Sequence, residues 1–315
     1  MINRVLLRIK VIQLLYSYYQ SNSNSAKDAE KELFNSINKT YDLFHLMLLL
    51  AIEITYYAEE KIERGLNKYR PTHEELHPNP RFMMNTFVRQ LKTNEALKEY
   101  AKEHKLSWSA QPELIKSLFD TIAASDIYQE YMRSGGKSYE DDKKIWRKIY
   151  SKVLLGNEEL EDALEEMSVY WNDDLDIVTS FVEKVIKRFD EKNKSKQELL
   201  PMFKDDEDRV FVQKLFLDTV ANGNKYREVI RRNVKNWELE RVAVMDIIIM
   251  QTALAELMSF PAIPVNVTLN EYIELAKTYS TERSGVFVNG VLNNVVNELR
   301  EKNKLIKAVS FSMED

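Results

Sequence analysis

The stretch from Pro264 to Leu299 contains two helix patterns, one directly after the other. In the first pattern, Thr268 and Glu271 have the spacing of a capping box, which predicts a helix start at this point. The apolar residues that follow recur at helical spacing: Leu269, Ile273 and Ala276. The second pattern carries a longer apolar stripe on one face: Val288, Val291, Leu292, Val295 and Leu299. Each stripe predicts a helix that packs on other elements through that face.

The rest of the chain favours the same class of structure. With only 7 Gly and 7 Pro among 315 residues, both types are scarce, which favours long uninterrupted helices. No stretch alternates for long with the period of a β-strand, so the sequence predicts an all-α fold. Cysteine is absent, which excludes disulfides and cysteine-ligated zinc and favours an intracellular compartment. No apolar run reaches the roughly 18 residues that a membrane-spanning helix needs.

Three residues of the second pattern are not explained by its apolar stripe. At about 100° per residue, Phe287 and Asn289 fall on opposite shoulders of the stripe and Gly290 falls on the far side. A glycine inside a helix costs about 1 kcal/mol relative to alanine. We therefore expect these residues to serve a purpose other than helix formation.

The whole stretch has the arrangement P-x-x-V-x-x-NE-x-x-ELAK-x-Y, followed by S-x-x-FVNGVL. The positions that carry it are Pro264, Val267, Asn270, Glu271, Glu274, Leu275, Ala276, Lys277, Tyr279, Ser284, Phe287, Val288, Asn289, Gly290, Val291 and Leu292. It resembles the carboxy-terminal signature of the NusB family. The members are bacterial transcription antitermination factors that bind the boxA element of RNA together with NusE, a ribosomal protein.

The resemblance continues in three other segments. One is the helix pattern from Trp237 to Met258, with matches at Trp237, Arg241, Asp246, Ala253, Glu256 and Leu257. The second is the helix pattern before it, FVQKLFLDTVANGNKYREVI. The third is the opening helix, with matches at Arg4, Arg8, Leu15 and Tyr16. The family usually has arginines where this chain has Ile247 and Gln251. The resemblance implies a NusB-like core of residues 1–23 and 203–303, an additional helical region at 24–202 and a tail at 304–315.

The resemblance also implies roles for particular residues. Those expected to bind RNA are Arg4, Arg8, Ser284, Phe287 and Asn289. Those expected to contact a protein partner or to keep the motif in shape are Glu256, Asn270, Glu271, Lys277 and Gly290. Alternatively, Arg4 and Arg8 are ordinary surface charges, and Phe287 packs under the first helix. There is a further basic cluster, which we expect to consist of solvated surface charges: Arg227, Arg231 and Arg232.

The function that follows is that of a cytoplasmic RNA-binding antitermination factor that is not an enzyme and needs no cofactor. Its partners would be a boxA-like single-stranded RNA, NusE and the antitermination complex of RNA polymerase on ribosomal RNA operons. The net charge of −5 means that any RNA contact must come from a local basic patch. The alternative is a helical protein-interaction scaffold that kept the NusB-like fold and lost RNA binding.

Two local patterns carry separate predictions. His73–His77 reads HEELH, which fits the zinc-protease motif, but prolines at 71, 78 and 80 surround it. We predict a short capped turn with Thr72 and Glu75, and no metal site. The segment Ala221–Asn224 reads ANGN, which predicts a turn.

Overall fold

The computed structural model describes residues 2–21, 25–135, 138–234 and 241–305. Within these ranges the regular structure is helical, so the prediction of an all-α fold is confirmed. The α-helices are α1 (Arg4–Gln20), α2 (Ala26–Leu66), α3 (His73–Leu76), α4 (Thr86–Thr93), α5 (Glu95–His104), α6 (Pro112–Ala124), α7 (Asp126–Arg133), α8 (Tyr139–Ile149), α9 (Glu158–Met167), α10 (Leu175–Arg188), α11 (Asp206–Asn233), α12 (Val244–Ser259), α13 (Val265–Tyr279) and α14 (Ser284–Glu301). A π-helix, Tyr150–Leu154, follows α8, and a 3-10 helix, Glu191–Lys196, follows α10.

The chain divides into two compact units. The core unit contains Ile2–Ile37 together with the described residues from Phe203 onward, and the middle unit contains Asn38–Met202. In the core unit, α1 packs on α11 and α12, and α11 to α14 pack on one another. The apolar stripe predicted on α14 is buried in this unit, which confirms that prediction. Eight of the seventeen residues of α1 are buried as well.

In the middle unit, the centre of the packing is formed by α8, α10 and the π-helix. Trp146 and Tyr150 are fully buried there, and Trp146 lies against the ring of Phe82 at a centroid distance of 5.5 Å. Trp108 is also buried and donates a hydrogen bond from Nε1 to the carbonyl of Leu46, at 2.8 Å. The middle unit therefore has an apolar core of its own.

Helix α11 differs from the sequence prediction, because it runs without a break through Ala221–Asn224. The predicted turn is wrong. A Cβ on Gly223 would lie 2.8 Å from the hydroxyl of Tyr19, and the Gly223 carbonyl accepts a hydrogen bond from Gln251 Nε2 at 2.7 Å. Glycine therefore serves close approach of α1 and α12 to this helix, and not a reversal of the chain.

The start of α13 also differs from the prediction. The helix begins at Val265 with Pro264 as its N-cap residue, so Thr268 lies inside the helix and does not cap it. The Thr268 hydroxyl is buried and donates to Glu256 Oε1 at 2.9 Å. Thr268 and Glu271 have the spacing of a capping box, but the Thr268 hydroxyl is hydrogen-bonded to the buried Glu256 carboxylate and does not cap the helix.

Among the described residues, none of the helices is both long enough and apolar enough to cross a bilayer.

His45 of α2 gives the first testable prediction, a loss of stability in mild acid. The ring is buried, lies 3.7 Å from the Tyr100 ring and has its Nδ1 2.9 Å from the Tyr41 carbonyl oxygen. Burial lowers the pKa of His45 to about 4, although the Tyr41 carbonyl and Asp42 oppose the shift. The unfolded chain takes up this proton near pH 6.5. The stabilisation by neutral His45 is therefore complete above about pH 6.5 and decreases as the pH falls towards 4.

We expect the free energy of unfolding to fall by about 2 kcal/mol between pH 7.5 and pH 5 through this residue. Urea unfolding at the two pH values measures it. His45→Gln should remove most of that pH-dependent part, whereas His73→Gln, on an exposed turn, should keep it. An equal pH dependence in the wild type and in His45→Gln would contradict the assignment.

Candidate nucleic-acid interface

The first half of α14 has an exposed side that the core unit does not cover. We call it the α14 surface and define it by Arg283, Val286, Phe287, Asn289 and Gly290. Val286 is 81% exposed, Phe287 is half-buried and the other three are exposed. Arg283 has no ion pair within the part of the chain that the structure describes, so its guanidinium faces solvent without a carboxylate. The surface thus combines a cation, an aromatic ring, an amide and an apolar side chain.

Gly290 has no packing reason among the residues that the structure describes. A Cβ placed on it would meet none of their atoms within 4 Å. Since glycine costs about 1 kcal/mol in a helix interior, the chain gives up stability at a position where a larger residue would fit. Its absence of a side chain leaves the helix backbone open to a molecule from outside.

Lys277 of α13 lies over the start of α14. A Cβ on Gly285 would be 2.6 Å from Lys277 Cγ, so only glycine lets the lysine stem pass here. The ammonium group pairs with Glu274 at 2.6 Å, and about half of the Lys277 side chain is exposed. Lys277 was expected from the sequence, whereas Gly285 was not, although it lies directly after Ser284 at a helix start.

Ser284 was expected to bind RNA, but the structure places it inside the protein. It is buried, its hydroxyl donates to Asp246 Oδ2 at 2.9 Å, and its Oγ accepts from the Thr281 backbone N–H at 3.1 Å. The hydroxyl therefore holds the start of α14 against α12. In this arrangement Ser284 positions the α14 surface and does not form part of it.

Arg8 is also placed differently from a surface contact. It is 3% exposed, and its guanidinium donates twice to Glu256, from Nε at 2.8 Å and from NH2 at 2.9 Å. Glu256 is fully buried and also accepts from the hydroxyls of Thr268 and Tyr272, at 2.9 and 3.1 Å. Glu271 is the second carboxylate, 3.4 Å from Arg8 NH1. We call these five residues the Arg8–Glu256 cluster.

The pKa values in this cluster follow from burial and pairing. Burial by itself lowers the pKa of Arg8, but the hydrogen bonds and charge of Glu256 outweigh it and the net shift is upward. Burial raises the pKa of Tyr272, and the Glu256 carboxylate adds to the effect. The cluster is thus a buried ion pair in which Glu256 also accepts from two hydroxyls and Glu271 adds a second acceptor for Arg8, and it joins α1, α12 and α13.

Arg4 and Asn270 are the other predicted residues of these helices. The Arg4 side chain is 37% exposed, donates from Nε to Asp208 Oδ1 at 3.0 Å and lies 5.0 Å from the Phe211 ring centroid. Asp208, in the first turn of α11, is buried beside this arginine. Asn270 is exposed on α13. Apart from Asn270, the predicted residues therefore form two groups, one at α14 and one around Arg4 and Arg8.

The two departures from the family pattern lie beside a cleft of about 410 Å³. Ile247 and Gln251 are both buried, and Gln251 is bonded to Gly223 as described above. Tyr19 and Arg227 also line the cleft. Of the second basic cluster, Arg231 pairs with Glu228 and Arg232 with Glu298, both at 3.3 Å, whereas Arg227 has no such pair among the described residues. Arg227 therefore supplies a cation close to the positions where the family has arginines.

The HEELH segment has the geometry of a capped turn. Helix α3 is four residues long, Thr72 and Glu75 form a capping box, and His77 already has non-helical φ and ψ angles of −127° and 58°. The prediction of the capped turn is confirmed. Within the described residues, no group of His, Asp and Glu side chains has the arrangement needed to hold a metal ion. Trp237, which also matches the family pattern, lies outside the described residues.

Comparison with known proteins supplies an independent line of evidence. The sequence model of the NusB family matches residues 174–297. A protein of Salinibacter ruber, named transcription antitermination protein NusB, is 37% identical over 108 residues, which are 34% of this chain and 68% of the relative. Proteins of the same name from Bacillus cereus and Bacillus thuringiensis are 42% identical over 94 residues, 30% of this chain and 72% of each relative. No solved structure matches the chain.

Proposed function

The chain belongs to the NusB family, and from that premise we propose that it binds a boxA-like single-stranded RNA together with NusE as a transcription antitermination factor. Membership supports the role in transcription antitermination and, at the level of the family, a role that is not enzymatic. The further proposal is that the bound pair joins the antitermination complex of RNA polymerase on ribosomal RNA operons. A cytoplasmic location stays a prediction.

The single observation that carries the RNA proposal is the composition of the α14 surface. A partly exposed aromatic ring gives an unstacked base a flat partner, and the exposed Asn289 amide, whose Oδ1 already accepts from Asn293 Nδ2 at 2.7 Å, can donate to a base edge. The unpaired guanidinium of Arg283, one turn before Phe287, suits a phosphate. Gly290 lets the nucleotide approach the helix backbone. These features are the ones that single-stranded RNA requires.

We further propose the domain organisation given by the family resemblance, with a NusB-like core of residues 1–23 and 203–303, an additional helical region at 24–202 and a tail at 304–315. The grouping of Ile2–Ile37 with residues from Phe203 onward in one compact unit supports the core. The family match begins at residue 174, so α10 at the end of the additional region also resembles the family.

The second candidate function is the protein-interaction scaffold, and specific observations favour it. Arg8 is buried in an ion pair, Arg4 is paired with Asp208, and Ile247 and Gln251 replace two family arginines. Each reduces the positive surface available to RNA. On this alternative, Asn270 and the α14 surface contact a protein only.

Binding of a boxA-like RNA to the full chain, with and without NusE, separates the two functions. We expect binding that weakens with salt and that NusE strengthens, since the three components form one assembly. Binding of NusE with no RNA binding at low salt, in the presence or absence of NusE, would contradict the RNA proposal and favour the scaffold.

Phe287→Ala should weaken RNA binding by about 1–3 kcal/mol, because a stacked base loses its aromatic partner. The matched control is Val286→Ala, the neighbouring and more exposed residue, which should change RNA binding less. Affinity is measured by fluorescence anisotropy, and urea unfolding of the same variants reports stability. If Phe287 is core instead, Phe287→Ala should cost about 3–5 kcal/mol of stability and leave RNA binding unchanged.

A further inference from the structure

A cleft of about 340 Å³ lies in the middle unit between the end of α8 and one face of α10. Its wall on the α8 side is Arg147 and Leu155, and its wall on the α10 side includes Thr179, Ser180, Lys184 and Lys187. We call it the α8–α10 cleft. No part of the proposed RNA contact on α14 lies in it, so the two can be tested separately.

Thr179 is the most unusual residue of this cleft. It is 2% exposed, and its hydroxyl has no hydrogen-bond partner. Three other buried helix threonines behave differently, because Thr55, Thr219 and Thr252 each donate to the carbonyl four residues earlier at 2.7–2.8 Å. A buried hydroxyl without a partner is unfavourable. Its retention at the wall of an open cleft indicates a bonding partner that comes from outside the chain.

Arg147 repeats the same feature on the opposite wall. Its Nε is buried and has no hydrogen-bond partner. The neighbouring lysines on α8 are paired, Lys143 with Glu140 at 2.8 Å and Lys148 with Glu130 at 4.0 Å, but Arg147 has no ion pair within the described ranges. Two donors without partners, one on each wall, thus border one cleft.

The backbone beside Arg147 is also unusual. The π-helix Tyr150–Leu154 continues α8, and the N–H of Leu155 donates to the carbonyl of Tyr150, five residues earlier, at 3.0 Å. Such π segments are rare and occur frequently at functional sites. Here the segment carries Leu155 into the wall of the cleft.

The charge of the lining favours an anion. Lys184 and Lys187 are exposed at the rim, and neither has a carboxylate partner among the described residues. Together with Arg147 they contribute three positive charges, against the two negative charges of Asp176 and Glu183, so the lining is net positive. A guanidinium, a hydroxyl and two ammonium groups are the donors that phosphate oxygens accept from.

We propose that the α8–α10 cleft binds a phosphate group. The Arg147 guanidinium and the Thr179 hydroxyl donate to its oxygens, and Lys184 and Lys187 provide charge at the rim. The phosphate has two sources, free inorganic phosphate or the backbone of a single-stranded RNA. The chemistry of recognition is the same for both.

In the test, the full chain is titrated with inorganic phosphate and the heat of binding is measured by calorimetry. A titration with chloride at equal ionic strength is the reference. We expect saturable binding that Arg147→Met weakens by about tenfold or more, since a charge-assisted hydrogen bond is lost. Thr179→Val keeps the side-chain volume, removes only the hydroxyl and should also weaken binding. Lys148→Met is the matched control on the same helix and should bind as the wild type does.

A second arm distinguishes the sources. Oligouridylate without a boxA sequence is added to the phosphate-saturated protein and to Arg147→Met. Displacement of phosphate by oligouridylate, lost in Arg147→Met, assigns the cleft to the RNA backbone, and phosphate binding without displacement assigns it to free phosphate. The proposal would be overturned if the wild type showed no saturable phosphate binding. It would also be overturned if Arg147→Met and Thr179→Val bound phosphate as tightly as the wild type does. Circular dichroism of each variant identifies a folding failure, and Arg147→Lys then replaces Arg147→Met as the milder change.

Discussion

Glu256→Ala is expected to lower the free energy of unfolding by about 3–5 kcal/mol, because it leaves the buried guanidinium of Arg8 without its main counter-charge. The variant also removes the acceptor of the Thr268 and Tyr272 hydroxyls. Thr268, Tyr272 and Glu256 are all fully buried, so solvent does not reach these hydroxyls in the folded chain. Urea unfolding of the full chain measures the change.

The control for this prediction removes both partners at once. Arg8→Met with Glu256→Leu removes both charges of the buried pair and should recover much of the loss, because apolar residues of similar volume replace the pair. Glu274→Ala breaks an exposed pair with Lys277 and should change stability by no more than about 1 kcal/mol. A loss in Glu256→Ala as small as in Glu274→Ala would show that the cluster does not hold α1, α12 and α13 together.

Trp146→Ala should also cost about 3–5 kcal/mol of stability, because it empties the space of a fully buried indole. The ring packs between Phe82 and Tyr150, at centroid distances of 5.5 and 6.0 Å, in the centre of the middle unit. The residue therefore tests whether residues 38–202 contain a packed core. The measurement is again urea unfolding, with the signal of the remaining tryptophans.

Two variants accompany this prediction. Trp146→Phe retains an apolar ring and removes an indole N–H that has no partner, so it should cost clearly less than alanine. Tyr69→Ala changes a side chain that is 94% exposed and should stay within about 0.5 kcal/mol of the wild type. Similar stabilities for Trp146→Ala and Tyr69→Ala would mean that the middle unit lacks the core described above.

Periodic features were predictable from the sequence. The stripe on α14 follows from apolar residues three and four apart. It depends only on helix geometry, which the chain specifies locally. The half-exposure of Phe287 follows in the same way, since its angle from the stripe is fixed by the helix.

Features that depend on a partner from another helix could not be predicted. Arg8 has the spacing of a surface arginine, and its burial requires Glu256 of α12, 248 residues later. Likewise, the Ser284 hydroxyl is buried because it donates to Asp246 of α12. Gly223 is required because Tyr19 and Gln251 approach it closely. In hindsight, a charged residue in a helix that is apolar on all sides is a signal of a buried ion pair, because charges are almost never buried unpaired.

Arg283 and Val286 were missed for a different reason. Neither belongs to the family pattern nor to the apolar stripe, so nothing in the sequence distinguishes them from ordinary surface residues. Their role in the α14 surface appears only when the exposed side of the helix is known. Arg283 lies four residues before Phe287, on the same side of the helix, which places it on this surface.

Photo-crosslinking of a boxA-like RNA that carries 4-thiouridine tests the central claim most directly, because it identifies the peptide in contact with a base. The full chain is irradiated with the RNA in the presence of NusE, and the crosslinked peptide is mapped by mass spectrometry. We predict a crosslink within Ser284–Glu301, centred on Phe287 and lost in Phe287→Ala, while Val286→Ala retains it. RNA that is bound and crosslinked only to other helices, with α14 unmodified, would contradict the account.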